Sequence, residues 1–182
     1  MTHAVLIQNR VAAMTVDAYN RSAIAGIDLD NGNVFRLDSL NSSTGCEVWD
    51  ATPPTTSAST LDNLWMAYSP EVVITTSGTK QYKGLDPDPL SFTNTGSLVF
   101  DAFKPQIGDV ITLTADAFTA AKSTNTYASS GSEGHTLFWN SSATTAAFAC
   151  QLMDITYISV GSGSTLAETQ RQTAYKMVVV NN

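Results

Sequence analysis

The stretch Asn63–Phe118 reads NLWMAYSPEVVITTSGTKQYKGLDPDPLSFTNTGSLVFDAFKPQIGDVITLTADAF and carries the strongest structural pattern in the chain. It is under a third of the 182 residues, yet it holds seven of the sixteen aromatic residues and four of the six prolines. Short apolar runs alternate in it with turn-forming residues, which is typical of strands joined by turns. We therefore expect the densest part of the core here.

The most regular predicted strand begins at Ile111, near the end of this stretch. Apolar and polar residues alternate in it with the period of two that a half-buried strand shows. The apolar set is Ile111, Leu113, Ala115 and Ala117, and the polar set is Thr112, Thr114 and Asp116. We expect the first set to face the core and the second to face solvent. Alanine at Ile111 or Leu113 should then cost about 2–5 kcal/mol, and alanine at Thr112 much less.

Two hairpins are predicted from turn residues that stand between apolar runs. In the first, Asn31-Gly32 joins Ala23–Leu29 to Val34–Leu37, because this dipeptide tolerates the positive φ angles of a tight turn. In the second, Val72–Ile74 returns as Lys80–Lys83 through a Thr-Ser-Gly-Thr turn.

Further strands are predicted at Ala4–Gln8, Glu47–Trp49, Thr136–Trp139 and Thr173–Val180. Across Leu64–Ser69 we prefer a strand, although the apolar spacing from Ser59 to Tyr68 also fits a short helix. A second stretch of helical periodicity covers Thr165–Gln172.

A change of parity marks the segment from residue 148 to residue 157. Phe148, Cys150 and Leu152 share one face of a strand, whereas Met153, Ile155 and Tyr157 fall on the other. Such a switch predicts a β-bulge or a strand that passes between two cores.

Three segments are predicted as connections. Ala51–Ser59 contains Pro53-Pro54 among Ser and Thr, so it should form a loop or an extended arm. Gly84–Pro89 should form a stiff loop because of its two prolines. Ser123–Ser132 should form a long hairpin tip that adds little to the core.

Length and composition agree with one β-rich domain over residues 1–182. A chain of this size can bury enough surface to fold without a metal or disulfide framework. Ser and Thr make up 43 residues and charged residues only 14%, which is typical of strand surfaces. The predicted fold is mainly β: an antiparallel sandwich or barrel with long loops and at most one or two short helices.

The charge pattern argues against nucleic acid and membrane partners. The net charge is −7 and the lysines are scattered, so no basic patch is available for phosphates. No apolar run approaches the length of about 18 residues that a spanning helix needs. The first residues, MTHAVLIQNR, lack the pattern of a signal peptide, so we expect synthesis in the cytoplasm without export.

Residue chemistry predicts no catalytic, cofactor-binding or metal site, and hence no enzyme. Only His3 and His135 are available for histidine-based zinc sites or serine triads. The acidic turn Asp28–Asn33 departs from a calcium-binding loop at the positions of its glycine and its glutamate. Asp86 and Asp88 could hold a cation, but exposed carboxylates on a stiff connector are the simpler interpretation.

Two further features have a structural interpretation that is preferred. Gly161–Ser164 lacks the third glycine of a dinucleotide-binding loop, so we expect a flexible turn. Cys46 and Cys150 could pair, but two buried free thiols are preferred.

Five motifs over most of the chain form a set: Asn63–Glu71 (NLWMAYSPE), Tyr82–Pro89 (YKGLDPDP), Phe103–Asp109 (FKPQIGD), Asn31–Phe35 (NGNVF) and Asp154–Ser159 (DITYIS). The set resembles a family of small structural proteins encoded among the head genes of tailed bacteriophages. The resemblance implies a virion protein, in particular a capsid decoration protein. Such a protein binds the major capsid shell and sister copies of itself, for example as a trimer.

Two alternatives remain open at this point. One is a phage tail or fibre subunit. The other is a carbohydrate-binding β module that stacks sugars on Trp49, Trp65 or Trp139, although a core position is preferred for each tryptophan.

Overall fold

Thirteen strands and four single turns of 3₁₀ helix form the fold in a computed structural model that describes residues 3–44, 47–54, 63–77, 80–85, 89–131, 134–143, 146–161 and 169–182. The strands are β1 (Leu6–Arg10), β2 (Asn20–Ile24), β3 (Val34–Leu40), β4 (Val48–Thr52), β5 (Leu64–Ala67), β6 (Val72–Ser77), β7 (Lys80–Leu85), β8 (Val99–Phe103), β9 (Val110–Thr114), β10 (Tyr127–Ser130), β11 (Leu137–Asn140), β12 (Ala149–Gly161) and β13 (Thr169–Asn181). The 3₁₀ turns are Ala12–Met14, Asp17–Tyr19, Pro89–Ser91 and Ala115–Ala117.

The strands form two sheets and one separate hairpin. A six-stranded antiparallel sheet has the order β1-β9-β13-β12-β10-β11. A closed barrel has the order β2-β4-β3-β5-β8, in which only the β2–β4 pair is parallel. The hairpin is β6–β7, as predicted from the sequence. The mainly β fold class, with a sandwich or barrel, is therefore confirmed.

The barrel wall separates two clusters of buried side chains. Val34 and Met66 point outward and join the larger cluster, which also holds the inner face of the six-stranded sheet. Their neighbours Phe35 and Ala67 point into the barrel, where Phe35 meets Phe100 edge-to-face at 5.5 Å. Because successive side chains of a strand point to opposite faces, β3 and β5 contribute residues to the clusters on both sides of the barrel wall. The stretch Asn63–Phe118 supplies residues to both clusters.

The hairpin predicted around Asn31-Gly32 is wrong, although its turn is present. Gly32 has a φ of 96°, and the Asn33 amide donates to the Asp30 carbonyl at 3.0 Å. The flanking strands do not pair, however, because β4 lies between β2 and β3 in the barrel. A local turn motif sets the direction of the chain but leaves open which strand becomes the neighbour.

The solvent-facing side predicted for β9 is also wrong. Ile111 and Leu113 are buried as expected, but Thr112 and Thr114 are only 4% and 1% exposed. Thr112 Oγ1 donates to Asn9 Oδ1 at 2.6 Å, and Thr114 Oγ1 accepts the Val5 amide at 2.9 Å. Both partners come from β1 or from the residue just before it, so these buried hydroxyls have their hydrogen bonds satisfied. The strand also ends at Thr114, and the next three residues form a 3₁₀ turn.

The prediction of a hairpin tip at Ser123–Ser132 must likewise be corrected. Tyr127–Ser130 forms β10, an inner strand between β11 and β12. Ala128 and Ser129 are buried, and the Ser129 hydroxyl accepts a hydrogen bond from the Asn140 amide group. Small side chains with internal partners allow this hydroxyl-rich segment to lie inside the sheet.

The parity switch after Leu152 is confirmed as a β-bulge. The register between β12 and β13 shifts between Leu152 and Asp154, which leaves Met153 as the extra residue. Leu152 packs against the larger cluster, whereas Met153 is exposed.

The remaining local predictions are met in part. Leu64–Ala67 is a strand, as preferred. The predicted connection Ala51–Ser59 begins late, because Ala51 and Thr52 complete β4, and residues 55–59 lie outside the described part of the chain. Helix over Thr165–Gln172 is contradicted from Thr169 onward, where β13 begins, and residues 165–168 are not described.

A buried polar network fixes the barrel to its connecting turns. Asn31, which is 1% exposed, donates through Nδ2 to the Ser69 carbonyl at 2.9 Å and accepts the Ser69 amide at 3.0 Å. Asn94 Nδ2 reaches Asn31 Oδ1 at 3.2 Å and the Leu29 carbonyl at 2.9 Å. The bonds from Asn31 satisfy the amide and carbonyl of Ser69, which no strand ladder reaches.

We expect Asn31→Ala to lower the free energy of unfolding by about 1–3 kcal/mol, because the Ser69 amide and carbonyl lose their partner inside the protein. Urea denaturation of the purified protein measures the change. Asn20→Ala is the matched control, since this exposed asparagine gives up one side-chain bond, to the Ala13 carbonyl. Equal losses for the two variants would contradict the structural role of the network.

Candidate interaction surface

Beyond the body of the sheet, β12 and β13 continue as a two-stranded ribbon. The two strands pair along their whole length, from Ala149 to Gly161 on β12. However, β9 accompanies β13 only over Ala174–Val178, and β10 accompanies β12 only as far as Gln151. The segment Thr169–Thr173 and its partners therefore project past β9 by about 17 Å, at roughly 3.3 Å per residue.

We use the name β12–β13 ribbon for Leu152–Gly161 together with Thr169–Lys176. Three large apolar residues of the ribbon are exposed: Met153, Ile155 and Tyr157, at 56%, 46% and 52%. The guanidinium of Arg171 lies over the Tyr157 ring, 4.0 Å from its centroid. On the ribbon's other side, Ile158, which pairs with Gln172 in the projecting part, packs against buried Val5 and Leu90.

A second feature is an open cleft beside the barrel, with a volume of about 640 Å³. It is formed where β2, β8 and the chain after β5 meet. Exposed carboxylates line it together with one cation and the ring of a half-buried tyrosine. The residues that matter below are Asp17, Arg21, Glu47, Tyr68, Pro70 and Asp101, and we call this site the acidic cleft.

Burial and a neighbouring charge raise the pKa of Tyr68, and neighbouring groups hold the guanidinium of Arg21 in place. The pKa of Tyr68 is raised, mainly by burial and further by the negative charge of Glu71, so its hydroxyl stays neutral. Arg21 lies over the Trp65 ring at 5.9 Å and donates to the Asn20 carbonyl at 2.8 Å. Arg21 is the cationic side chain among the lining residues of the cleft, which also include the carboxylates of Asp17, Glu47 and Asp101.

A third feature is an apolar patch at one end of the barrel. The turn at Gly96 lies directly on the backbone of Ile27, where an added Cβ would come within 3.0 Å. The Ser97 amide donates to the Ala25 carbonyl at 2.7 Å, which ties the two turns together. Ile27, Leu98 and Val99 are 56%, 61% and 51% exposed here. We call these three residues the barrel-end patch.

The structure places the residues of the acidic turn Asp28–Asn33 in contacts within the protein. Asp28 accepts the Gly96 amide at 2.7 Å. Asp30 accepts from His3 Nδ1 at 2.7 Å and from the Ala4 amide at 3.0 Å. The two carboxylates thus hold different neighbouring segments, and among the described residues no group of three or more His, Cys, Asp or Glu side chains could hold a metal ion.

The two histidines lie apart and have structural contacts. His3 pairs with Asp30, whereas His135 Nδ1 lies 3.0 Å from the Val34 carbonyl and joins the sheet to the barrel. The pKa of His135 is lowered, because its burial disfavours the charged form more than this hydrogen bond favours it. Cys150 is a buried free thiol, and burial raises its pKa.

The tryptophans predicted as a possible sugar platform are covered to different degrees. Trp139 stacks on Phe118 at 4.6 Å and meets Tyr175 edge-on at 5.1 Å. Lys122 lies over the same indole at 5.4 Å, and Arg21 lies over Trp65. Trp49 is half-buried on β4. These contacts support packing for Trp139 and Trp65.

Several predicted positions lie outside the described residues. They are Asp86, Asp88, Cys46, most of the loop or arm Ala51–Ser59, and Ser162–Ser164 of the predicted glycine-serine turn. Within the described chain, no helix is long and apolar enough to cross a membrane.

Comparison with protein-family models, with curated proteins and with solved structures finds no match to this chain.

Sequence reasoning did not find the acidic cleft. Asp17, Glu47 and Asp101 come from distant parts of the chain, and carboxylates that meet only in space leave no spacing pattern in the sequence. The sequence does show the apolar residues of the ribbon after the bulge. The projection of the ribbon, however, depends on where β9 and β10 end.

Proposed function

We propose that this chain is a non-enzymatic structural protein of a tailed bacteriophage, most specifically a decoration protein on the outside of the major capsid shell. One observation supports a binding role: large exposed apolar side chains form two separate surfaces, the barrel-end patch and the β12–β13 ribbon. Grouped apolar residues on a protein surface are typical of sites that bind other proteins. The motif resemblance supports the phage head as the place of binding.

In this proposal the barrel-end patch contacts the shell. It lies on short turns that are tied by backbone hydrogen bonds to the closed barrel, so it is held in one conformation before binding. A preformed apolar patch loses little conformational entropy when it binds. A tail or fibre subunit is the second candidate. The position of the protein on the head or the tail of purified particles distinguishes the two.

The first test is whether the protein belongs to the virion. Mass spectrometry of purified particles of the encoding phage should detect it, and antibody labelling should place it on the head. Labelling on the tail would favour the second candidate. Absence from the particles would reject both proposals.

The second test is a substitution in the patch. We expect Leu98→Asp to weaken attachment to particles that lack the protein by at least about tenfold, because an apolar contact is replaced by a charge that must be desolvated. Ile107→Asp is the matched control, since Ile107 is 68% exposed and lies outside both surfaces. Cosedimentation measures retention, and equal retention of both variants would contradict the patch as the shell contact.

A further inference from the structure

We propose that the β12–β13 ribbon of one copy docks into the acidic cleft of a second copy. The inference concerns association of the protein with itself. It goes beyond the proposed function and holds or fails independently of the virion.

The ribbon has the properties of a surface that a partner covers. Beyond Gln151, no described strand pairs with the outer edge of β12. Proteins normally protect such an edge with charge, proline or a bulge. Here the bulge and Asp154, whose carboxylate accepts the Ile155 amide at 2.9 Å, protect only its beginning. Ile155–Ser159 has none of these protections and carries two exposed apolar residues.

The charges of the two surfaces indicate that the acidic cleft of another copy covers the ribbon. The chain has a net charge of −7, so two copies repel unless cationic and anionic regions meet. On the ribbon, Arg171 carries a positive charge beside Tyr157, and Lys176 lies opposite Asp154, whereas the cleft is lined by three carboxylates and Arg21. These opposite local charges make the cleft of another copy complementary to the ribbon.

The side chains of the ribbon and of the acidic cleft are also chemically complementary. Arg171, held over Tyr157, presents a planar fork of donors suited to carboxylates such as Glu47 and Asp101. Tyr68 and Pro70 in the cleft offer apolar contacts to the Tyr157 ring. The cleft volume of about 640 Å³ lies within the range of roughly 300–1,000 Å³ that holds a compact ligand, which is enough for this pair of side chains.

The symmetry of the contact follows from its parts. Ribbon and cleft are made of different residues, so two arrangements satisfy the contact. In a reciprocal two-fold dimer each ribbon enters the other copy's cleft, and in a head-to-tail chain one ribbon and one cleft stay free at the ends until a ring closes. The wild-type protein should therefore form reciprocal dimers, rings or short chains.

The test uses the full chain in sedimentation velocity experiments with three variants. The ribbon variant is Tyr157→Ser with Arg171→Glu, and the cleft variant is Glu47→Lys with Asp101→Lys. Arg10→Glu is the control for the ribbon variant, because it makes the same charge change as Arg171→Glu at an exposed residue of β1 outside both surfaces. We expect wild type and control to associate and both other variants to bind at least about tenfold more weakly. Circular dichroism melts establish that each variant is folded.

Mixing the ribbon and cleft variants is the decisive measurement. The cleft variant retains its ribbon and the ribbon variant retains its cleft, so the mixture should form one-to-one dimers and nothing larger. Association of wild type should also weaken as salt is raised, because screening reduces the charge contribution.

Two results would overturn the inference. One is a wild-type protein that stays monomeric at every concentration measured. The other is a cleft variant that associates like wild type, which would indicate ribbon-to-ribbon pairing. If association follows the expected pattern while the protein is missing from virions, only the proposed function fails.

Discussion

Leu113→Ala is expected to lower the free energy of unfolding by about 2–5 kcal/mol, as measured by the midpoint of urea denaturation. Leu113 is 0% exposed on inner strand β9, where its backbone partners are Leu6 on one side and Tyr175 on the other. Its side chain also faces the turn at Gly32, so it packs the sheet against the barrel connection. Truncation leaves a cavity at that junction, which the two sheets cannot close without moving.

Leu98→Ala is the control for this prediction, because the same chemical change is made at a leucine that is 61% exposed. It should change the free energy of unfolding by less than about 0.5 kcal/mol. Similar losses at Leu98 and Leu113 would contradict the placement of β9 in the shared core.

The sequence was informative where the deciding interaction is local. The switch of parity after Leu152 predicted a bulge, because a register shift shows directly in the alternation of side chains. The inward direction of Ile111 and Leu113 was predicted for the same reason. These features need only neighbouring residues along the chain.

Predictions failed where a distant segment decides the outcome. Thr114 looked solvent-facing, but its hydroxyl accepts the amide of Val5, a residue 109 positions away in the chain. The turn at Gly32 was recognised, whereas the insertion of β4 between its flanking strands depends on parallel pairing with β2. Alternation reports which residues share a face and does not report what covers that face.

The same limit applies to the surfaces. The apolar residues of the ribbon were visible in the sequence, but their exposure follows from the lengths of β9 and β10. The barrel-end patch requires the turns at Ile27 and Gly96 to meet, which no local pattern encodes. Candidate binding surfaces therefore emerge only once strand order is known.

Gly32→Ala is expected to be comparably severe, at about 2–5 kcal/mol, because two costs add. Gly32 has a φ of 96°, which an L-residue adopts only with strain. An added Cβ would also lie 2.5 Å from Leu113 Cδ2, too close for a van der Waals contact. Urea denaturation again measures the loss.

Gly108→Ala separates these two costs. Gly108 has nearly the same φ, 95°, but nothing lies within 4 Å of the position of its added Cβ. Its substitution should therefore show the conformational cost alone, about 1–2 kcal/mol. The difference between the two glycine variants is then the cost of crowding Leu113.

The contact between Gly32 and Leu113 also predicts how the losses of unfolding free energy combine in a double variant. In the Leu113→Ala background the missing leucine leaves room for the new methyl group, so Gly32→Ala should cost only about as much as Gly108→Ala. The double variant should thus be more stable than the sum of the single losses predicts, by roughly 1–3 kcal/mol. Strict additivity would mean that the turn and β9 do not touch, and the packing of the barrel connection on the sheet would have to be rejected.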